Sequence, residues 1–132
     1  LELQTAHFRS KGESLFEGSG ARHAALVSVV MAHAKPGSMI AFDPFEDQMD
    51  PPTIRTTIHE LRVRAEQREL ALVLSTTSPV VLNEFQAEPE SVILVRHHHP
   101  PQPVDELWDP DWLVQFALGD LYNRDGLDPG DP

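Results

Sequence analysis

A short apolar run that ends abruptly in acidic residues constrains the fold of this chain more than any other feature. Residues 39–42 (MIAF) are followed by four acids, Asp43, Glu46, Asp47 and Asp50. An apolar run of this length, bounded by glycine and proline, predicts a buried strand of a parallel sheet. Ligands of open α/β sheets bind at the carboxyl ends of the strands, and a carboxylate there can hold Mg²⁺. The alternative is a core strand followed by a solvated acidic loop.

Composition narrows the class of protein. The chain has 132 residues, of which 40% are hydrophobic, and this is enough for one modest packed domain. It has no cysteine, which excludes disulfides and thiolate metal sites and fits a cytoplasmic location. The longest apolar run, residues 24–32, is too short to span a bilayer, and the first residues lack the basic start of a signal peptide. The chain does not begin with Met, so we expect a fragment or a processed chain.

The charge is strongly negative and unevenly distributed. The net charge is −11, and residues 105–132 contain eight acids and one arginine, a net charge of −7. An acidic surface repels phosphate backbones, so we expect no direct nucleic-acid binding by this chain. The last ten residues, 123–132, are rich in Gly, Asp and Pro and are predicted to form a loose acidic tail.

The order of the predicted elements indicates an α/β fold. Strands and helices alternate, and this predicts a mainly parallel sheet of three to five strands flanked by helices, with right-handed crossovers. Asp43 and the segment Ser75-Thr76-Thr77 should then lie at the same edge of the sheet. The predicted strands are residues 1–9, 39–42, 70–74 and 91–96; the predicted helices are 21–34, which should be largely buried, a helix from residue 51, a short helix or turn at 80–85, and 108–121.

Two further segments have a possible chemical role. Gly18, Ser19 and Gly20 precede the first helix, where accessible backbone N–H groups form an anion site. A glycine loop with a serine N-cap explains the same residues equally well. Three consecutive histidines, residues 97–99, have no second ligand cluster at metal-binding spacing, so a metal site there is not predicted.

Three motifs follow one another along the chain: residues 17–23 (EGSGARH), 43–51 (DPFEDQMDP) and 76–79 (TTSP). With the strand at 92–96 and the helix end at 118–122, they resemble the signature loop, the Walker B line and the switch motif of ABC-type ATPases of the RecF/SMC/OLD-like group, also called AAA-type predicted ATPases. The resemblance covers residues 7–127 and implies the C-terminal lobe of a P-loop NTPase-like fold, with residues 1–122 as a partial ATPase domain. It implies ATP and Mg²⁺ as ligands, with Asp43 at the metal and five residues at the nucleotide: Gly18, Ser19, Gly20, Thr77 and Ser78.

The chain departs from the family pattern at three positions. Pro44 stands where the family has its catalytic glutamate, Thr77 where it has the switch histidine, and Gly18 where it has the signature serine. Proline has neither an acid group nor an N–H, and threonine carries no positive charge. The 132 residues also contain no G-x-x-x-x-G-K-[ST] sequence, the motif that cradles the phosphates. The resemblance therefore implies a degenerate lobe that does not hydrolyse ATP and does not bind it tightly by itself.

Three hypotheses for function remain. In the first, the degenerate lobe contributes to or regulates a composite ATP-binding assembly with a second ATPase subunit or an N-terminal lobe, as a homodimer or heterodimer, because the resembled ATPases pair head to tail. In the second, the chain belongs to a divergent active ATPase in which Glu46 or Asp47 is the catalytic base. In the third, it is a protein interaction module without a nucleotide role, and residues 105–132 form the partner surface.

Overall fold

The structure is a computed structural model that describes residues 3–4 and 19–130, with Leu3, Gln4 and Ser19 described by their backbone only. The chain divides into two units, Leu1–Thr76 and Thr77–Pro132, and the division falls inside the predicted 1–122 domain. Strands and helices alternate in the first unit, whereas the second is mainly short helices with one strand pair. The prediction of a mixed α/β chain is confirmed at this level. Among the described residues, no helix is both long enough and apolar enough to cross a membrane.

The first unit is built around a three-stranded parallel sheet. Its strands are β1 (Leu3–Gln4), β2 (Met39–Phe42) and β3 (Ala71–Leu74), in the order β1-β2-β3. Every residue of β2 is paired with one of β3, from Met39 opposite Ala71 to Phe42 opposite Leu74. The parallel pairing predicted for these strands is confirmed, and β2 and β3 end at the same level. The remainder of the strand predicted at residues 1–9 lies outside the described residues.

Two helices connect these strands, α1 (Ser19–His33) and α2 (Pro51–Arg68), and they pack against each other. Both ends of α2 are capped. The Asp50 carboxylate accepts a hydrogen bond of 2.8 Å from the Thr53 N–H and so caps the first turn. Proline at the first helical position costs no hydrogen bond. At the other end, Glu69 adopts a left-handed conformation (φ 55°) and ends the helix.

Helix α1 is buried along one face only. Val27 and Met31 are buried, whereas Val29 is 50% exposed. The expectation of a largely buried helix is therefore wrong, because apolar residues on most faces of a helix do not require that every face be covered. The end of α1 is tied to α2, since the Arg68 guanidinium donates hydrogen bonds to the carbonyl oxygens of Met31 and Ala32.

The second unit contains no parallel strand among its described residues. Strand β4 (Ile93–Leu94) pairs antiparallel with β5 (Gln102–Pro103). The sequence instead predicts a strand at 91–96 that joins the parallel sheet, and this prediction is wrong. The prolines at 100 and 101 lie in the connection that brings the chain back beside β4, where the Val104 N–H donates to the Val92 carbonyl at 2.8 Å.

Short helices form the rest of the second unit. They are α3 (Pro79–Asn83), a 3₁₀ turn (Pro89–Ser91), α4 (Val104–Leu107), α5 (Pro110–Leu113) and α6 (Leu118–Asn123). The single terminal helix predicted at 108–121 is wrong: proline at position 110 starts the short helix α5, and residues 114–117 separate it from α6 without helical structure. The core of this unit consists of Leu82, Val104, Leu113, Leu118, Leu121 and Leu127.

Candidate functional site

Asp43 and Ser75 are brought together by the register of the parallel sheet. Phe42 and Leu74 are paired at the ends of β2 and β3, so the next residue of each strand lies at the same sheet edge. The Ser75 hydroxyl donates a hydrogen bond to the Asp43 carboxylate, and both residues are exposed. The Ser75 N–H also donates to the Phe42 carbonyl at 3.0 Å. An accessible carboxylate and hydroxyl therefore share the carboxyl edge of the sheet, as the parallel pairing predicts.

The loop after Asp43 is held by a buried aromatic residue. The Phe45 side chain is 0% exposed and makes an edge-to-face contact with Phe42, with ring centroids 6.3 Å apart. Its N–H donates to the Ser75 carbonyl at 3.0 Å. Pro44 is exposed and follows a cis peptide bond. The loop thus presents Asp43 at the surface and buries the residue two positions later.

The first turn of α1 packs directly on this loop. A Cβ atom at Gly20 would lie 2.3 Å from the Gln48 carbonyl oxygen and 3.1 Å from the Met49 Cα. The His23 ring (Nε2) lies 2.9 Å from the Phe45 carbonyl oxygen, within hydrogen-bonding distance. Because Gly20 has no side chain, the backbone of Gln48 and Met49 can approach α1 closely. Of the other predicted loop residues, Gly18 lies outside the described residues and Ser19 begins the helix.

The remaining acids of the loop have different environments. Glu46 is half-buried, and its carbonyl accepts a hydrogen bond of 3.0 Å from the Met49 N–H. Asp47 is exposed. Asp50 caps α2, and the hydrogen bonds from Thr53 lower the pKa of its carboxyl group. The structure therefore assigns Asp50 to helix capping and leaves Asp43 as the acid at the strand end.

Thr77 and Ser78, predicted at the nucleotide, belong to the second unit. Thr77 is exposed, and Ser78 is half-buried at the position that precedes α3. The Ser78 carbonyl accepts the N–H of Leu82 at 3.2 Å and so starts that helix. The role of Ser78 that the structure shows is helix initiation.

No group of three or more His, Asp or Glu side chains in residues 3–4 and 19–130 could hold a metal ion by itself. Asp43 and Ser75 offer one carboxylate and one hydroxyl, which are hard oxygen donors of the kind Mg²⁺ accepts. Because Mg²⁺ sites of this type usually take their remaining ligands from substrate phosphates and water, the pair fits a shared metal site and does not make a complete one. The Asp43 carboxylate and the Ser75 hydroxyl can therefore contribute to binding a ligand at this edge.

A groove of about 350 Å³ lies elsewhere in the first unit, between α1 and α2. Its lining includes Ser28, Thr56, Thr57 and Glu60, and does not include Asp43. The two threonine hydroxyls donate to carbonyls of their own helix, Thr56 to Pro52 at 3.1 Å and Thr57 to Thr53 at 2.7 Å. Since these hydroxyls are already engaged, we do not regard the groove as the candidate site.

Sequence reasoning missed two features that the structure brings out. The first is the hydrogen bond from Ser75 to Asp43, since the sequence places both residues at one sheet edge but does not single out Ser75 within the segment 75–77. The second is the stacking of Trp108, Trp112 and Phe116 in the second unit. Their four-residue spacing is visible in the sequence and is also typical of a single helix, such as the one predicted at 108–121. No protein-family model, no curated protein and no solved structure matches this chain.

Proposed function

We propose that this chain is a degenerate ATPase lobe of P-loop NTPase-like fold, which contributes to or regulates a composite ATP-binding assembly and does not itself hydrolyse ATP. The observation that supports this proposal best is the position of Asp43. Its exposed carboxylate lies at the carboxyl edge of two adjacent parallel strands, beside the hydroxyl of Ser75. Ligand sites of open α/β sheets are found at that edge.

Asp43 and Ser75 are the residues that would hold Mg²⁺ in such an assembly. The bound metal ion would neutralise charge on the nucleotide phosphates. Asp43 would supply the protein carboxylate, and Ser75 would orient it through the hydrogen bond that is already present. Further ligands have to come from the phosphates, from water and from the partner that carries a phosphate-binding loop.

The absence of hydrolysis is proposed from the residues beside Asp43. Pro44 can neither accept a proton nor position water with a side-chain oxygen. Glu46 is three residues beyond Asp43 on a loop anchored by Phe45, and a base must be held with sub-Å accuracy to be effective. The lobe therefore retains groups for binding and lacks a suitably placed base.

The test is a binding titration with a fluorescent ATP analogue and Mg²⁺. The chain is measured alone and then together with a candidate partner protein that carries a phosphate-binding loop. We expect tight binding only in the second case, and we expect Asp43→Asn to weaken it at least about tenfold, as metal-site substitutions do. Asp47→Asn is the matched control, because Asp47 is an exposed acid of the same loop. Equal affinities of the two variants would contradict the proposal.

Turnover by the same assembly separates this proposal from that of a divergent active ATPase. Glu46→Gln should leave the rate of ATP hydrolysis unchanged if this lobe contributes no base. A fall of more than about a hundredfold, the lower range for loss of a general base, would instead identify Glu46 as catalytic. If no combination binds nucleotide, the hypothesis of an interaction module without a nucleotide role is favoured instead.

A further inference from the structure

Three aromatic side chains form a stacked strip on the second unit. The Trp108 and Trp112 rings stack with centroids 4.9 Å apart and planes at 28°, and the Phe116 ring follows 5.0 Å from Trp112. The two indoles are half-buried against the core, whereas Phe116 is 43% exposed and the neighbouring Val114 is 68% exposed. We call Trp108, Trp112 and Phe116 the aromatic strip. Exposed aromatic groups of this kind are enriched at sites of protein–protein contact.

Hydrogen bonds of the Gln86 and Trp108 side chains fix the aromatic strip to the rest of the second unit. The Gln86 amide nitrogen donates to the carbonyls of Leu113 (3.2 Å) and Phe116 (2.8 Å), and its oxygen accepts the Leu118 N–H at 2.7 Å. The Trp108 indole N–H donates to the Leu127 carbonyl at 3.0 Å. A surface fixed in this way before binding loses little conformational entropy when a partner docks.

The unit that carries the strip is strongly acidic. Residues 77–132 contain eleven acids and two arginines, a net charge of −9. One of the two arginines, Arg96, is paired with Asp128 at 3.0 Å. Glu106, Asp109 and Asp111 are exposed and lie within a few residues of the indoles in the chain. The strip thus belongs to a unit of high negative charge and has exposed acids next to it in the chain, of which Asp109 also caps α5.

We propose that the aromatic strip is a docking site for a basic, arginine-containing segment of a partner protein. A guanidinium group stacks on an exposed aromatic face, here that of Phe116, through a cation–π contact and pairs with carboxylates of the same acidic unit. Charge disfavours two other partners. A second copy of this chain has a net charge of −11, and the phosphate backbone of a nucleic acid would be repelled by the acidic unit. The inference does not depend on ATP, since no residue of the candidate nucleotide site takes part in it.

The experiment uses the tryptophan fluorescence of the whole chain. The chain has two tryptophans, and both belong to the strip. We expect a ten-residue peptide of alternating arginine and glycine to change the emission saturably, with an affinity that falls between about 50 mM and 300 mM salt. A glutamate–glycine peptide and a short oligothymidylate should produce no saturable change. Saturable binding of the oligothymidylate, or none of the arginine peptide, would overturn the proposal.

Two pairs of variants distinguish docking on the strip from general attraction by negative charge. Phe116→Ala should weaken peptide binding by roughly 3- to 10-fold, the effect of losing one aromatic contact to a cation, whereas Val95→Ala, at a 76% exposed apolar residue of the same unit, should not. Glu106→Gln should weaken binding more than Glu90→Gln, which removes the same charge from the 3₁₀ turn. Circular dichroism checks that each variant is folded. Equal effects within either pair would refute a site on the strip.

Discussion

Replacing Gly20 by alanine tests the close approach between α1 and the loop that follows Asp43. The added Cβ would lie 2.3 Å from the Gln48 carbonyl oxygen and 3.1 Å from two further backbone atoms, and real Cβ atoms essentially never come within 3.0 Å of another heavy atom. The helix or the loop must therefore move by at least about 0.7 Å. Forcing extra atoms into a packed site costs about 1–3 kcal/mol. The gain from replacing glycine in a helix is only about 0.5–1 kcal/mol, so we expect a net destabilisation of roughly 1 kcal/mol and at most about 2.5 kcal/mol.

The assay is urea denaturation followed by circular dichroism at the helix minimum. Ala21→Gly is the matched control at the next, exposed position of α1. It removes a methyl group that meets no such contact, so its loss should not exceed about 0.5–1 kcal/mol. Tryptophan emission, measured in parallel, reports on the second unit, which contains both tryptophans. A Gly20→Ala variant as stable as the original chain, or more stable, would refute the close approach.

Two further predictions concern single polar side chains. Asp50→Ala should lower the urea midpoint at neutral pH, because it removes the cap of α2. Hydrogen bonds from Thr53 lower the pKa of Asp50 below its ordinary value of 3.8, so the stabilisation by the cap is fully present above that value and disappears as the pH falls through the lowered pKa. The urea midpoints of the two chains should therefore converge in acid, and a difference that stays constant with pH would contradict the argument. Gln86→Ala should destabilise the chain by about 1–3 kcal/mol and shift tryptophan emission, because three hydrogen bonds are lost, two of them partly buried and one exposed. Gln115→Ala, at an exposed glutamine with one hydrogen bond, is its control and should cost less than about 1 kcal/mol.

The sequence predicts the sheet of the first unit well because its signals there are local. Residues 39–42 and 71–74 are short apolar runs with clear boundaries, and the helix between them has a proline start and a capping acid. Two strands joined by one helix can pair in parallel with little ambiguity. Once the register is set, the meeting of Asp43 and Ser75 follows from each residue's position after its strand.

The second unit is predicted poorly because its structure depends on contacts between distant residues. The run at 92–96 is apolar enough for a core strand, yet Ile93 and Val95 are 59% and 76% exposed. Nothing within that run shows that it pairs with Gln102 and Pro103. Gln86 likewise has no local signal, although it holds backbone groups of residues 113–118 more than 25 positions away.

The division into two units makes the two proposals separable. Asp43, Ser75 and the loop anchored by Phe45 belong to the first unit, which has eight basic and ten acidic residues in 1–76 and is therefore close to neutral. The aromatic strip belongs to the second unit, which carries most of the negative charge. A chain that binds the arginine peptide and never contributes to a nucleotide site would be an interaction module, with its partner surface within residues 105–132. A chain that does both would bring a basic partner segment to an ATP-binding assembly, and Asp43→Asn and Phe116→Ala should then each weaken one kind of binding without changing the other.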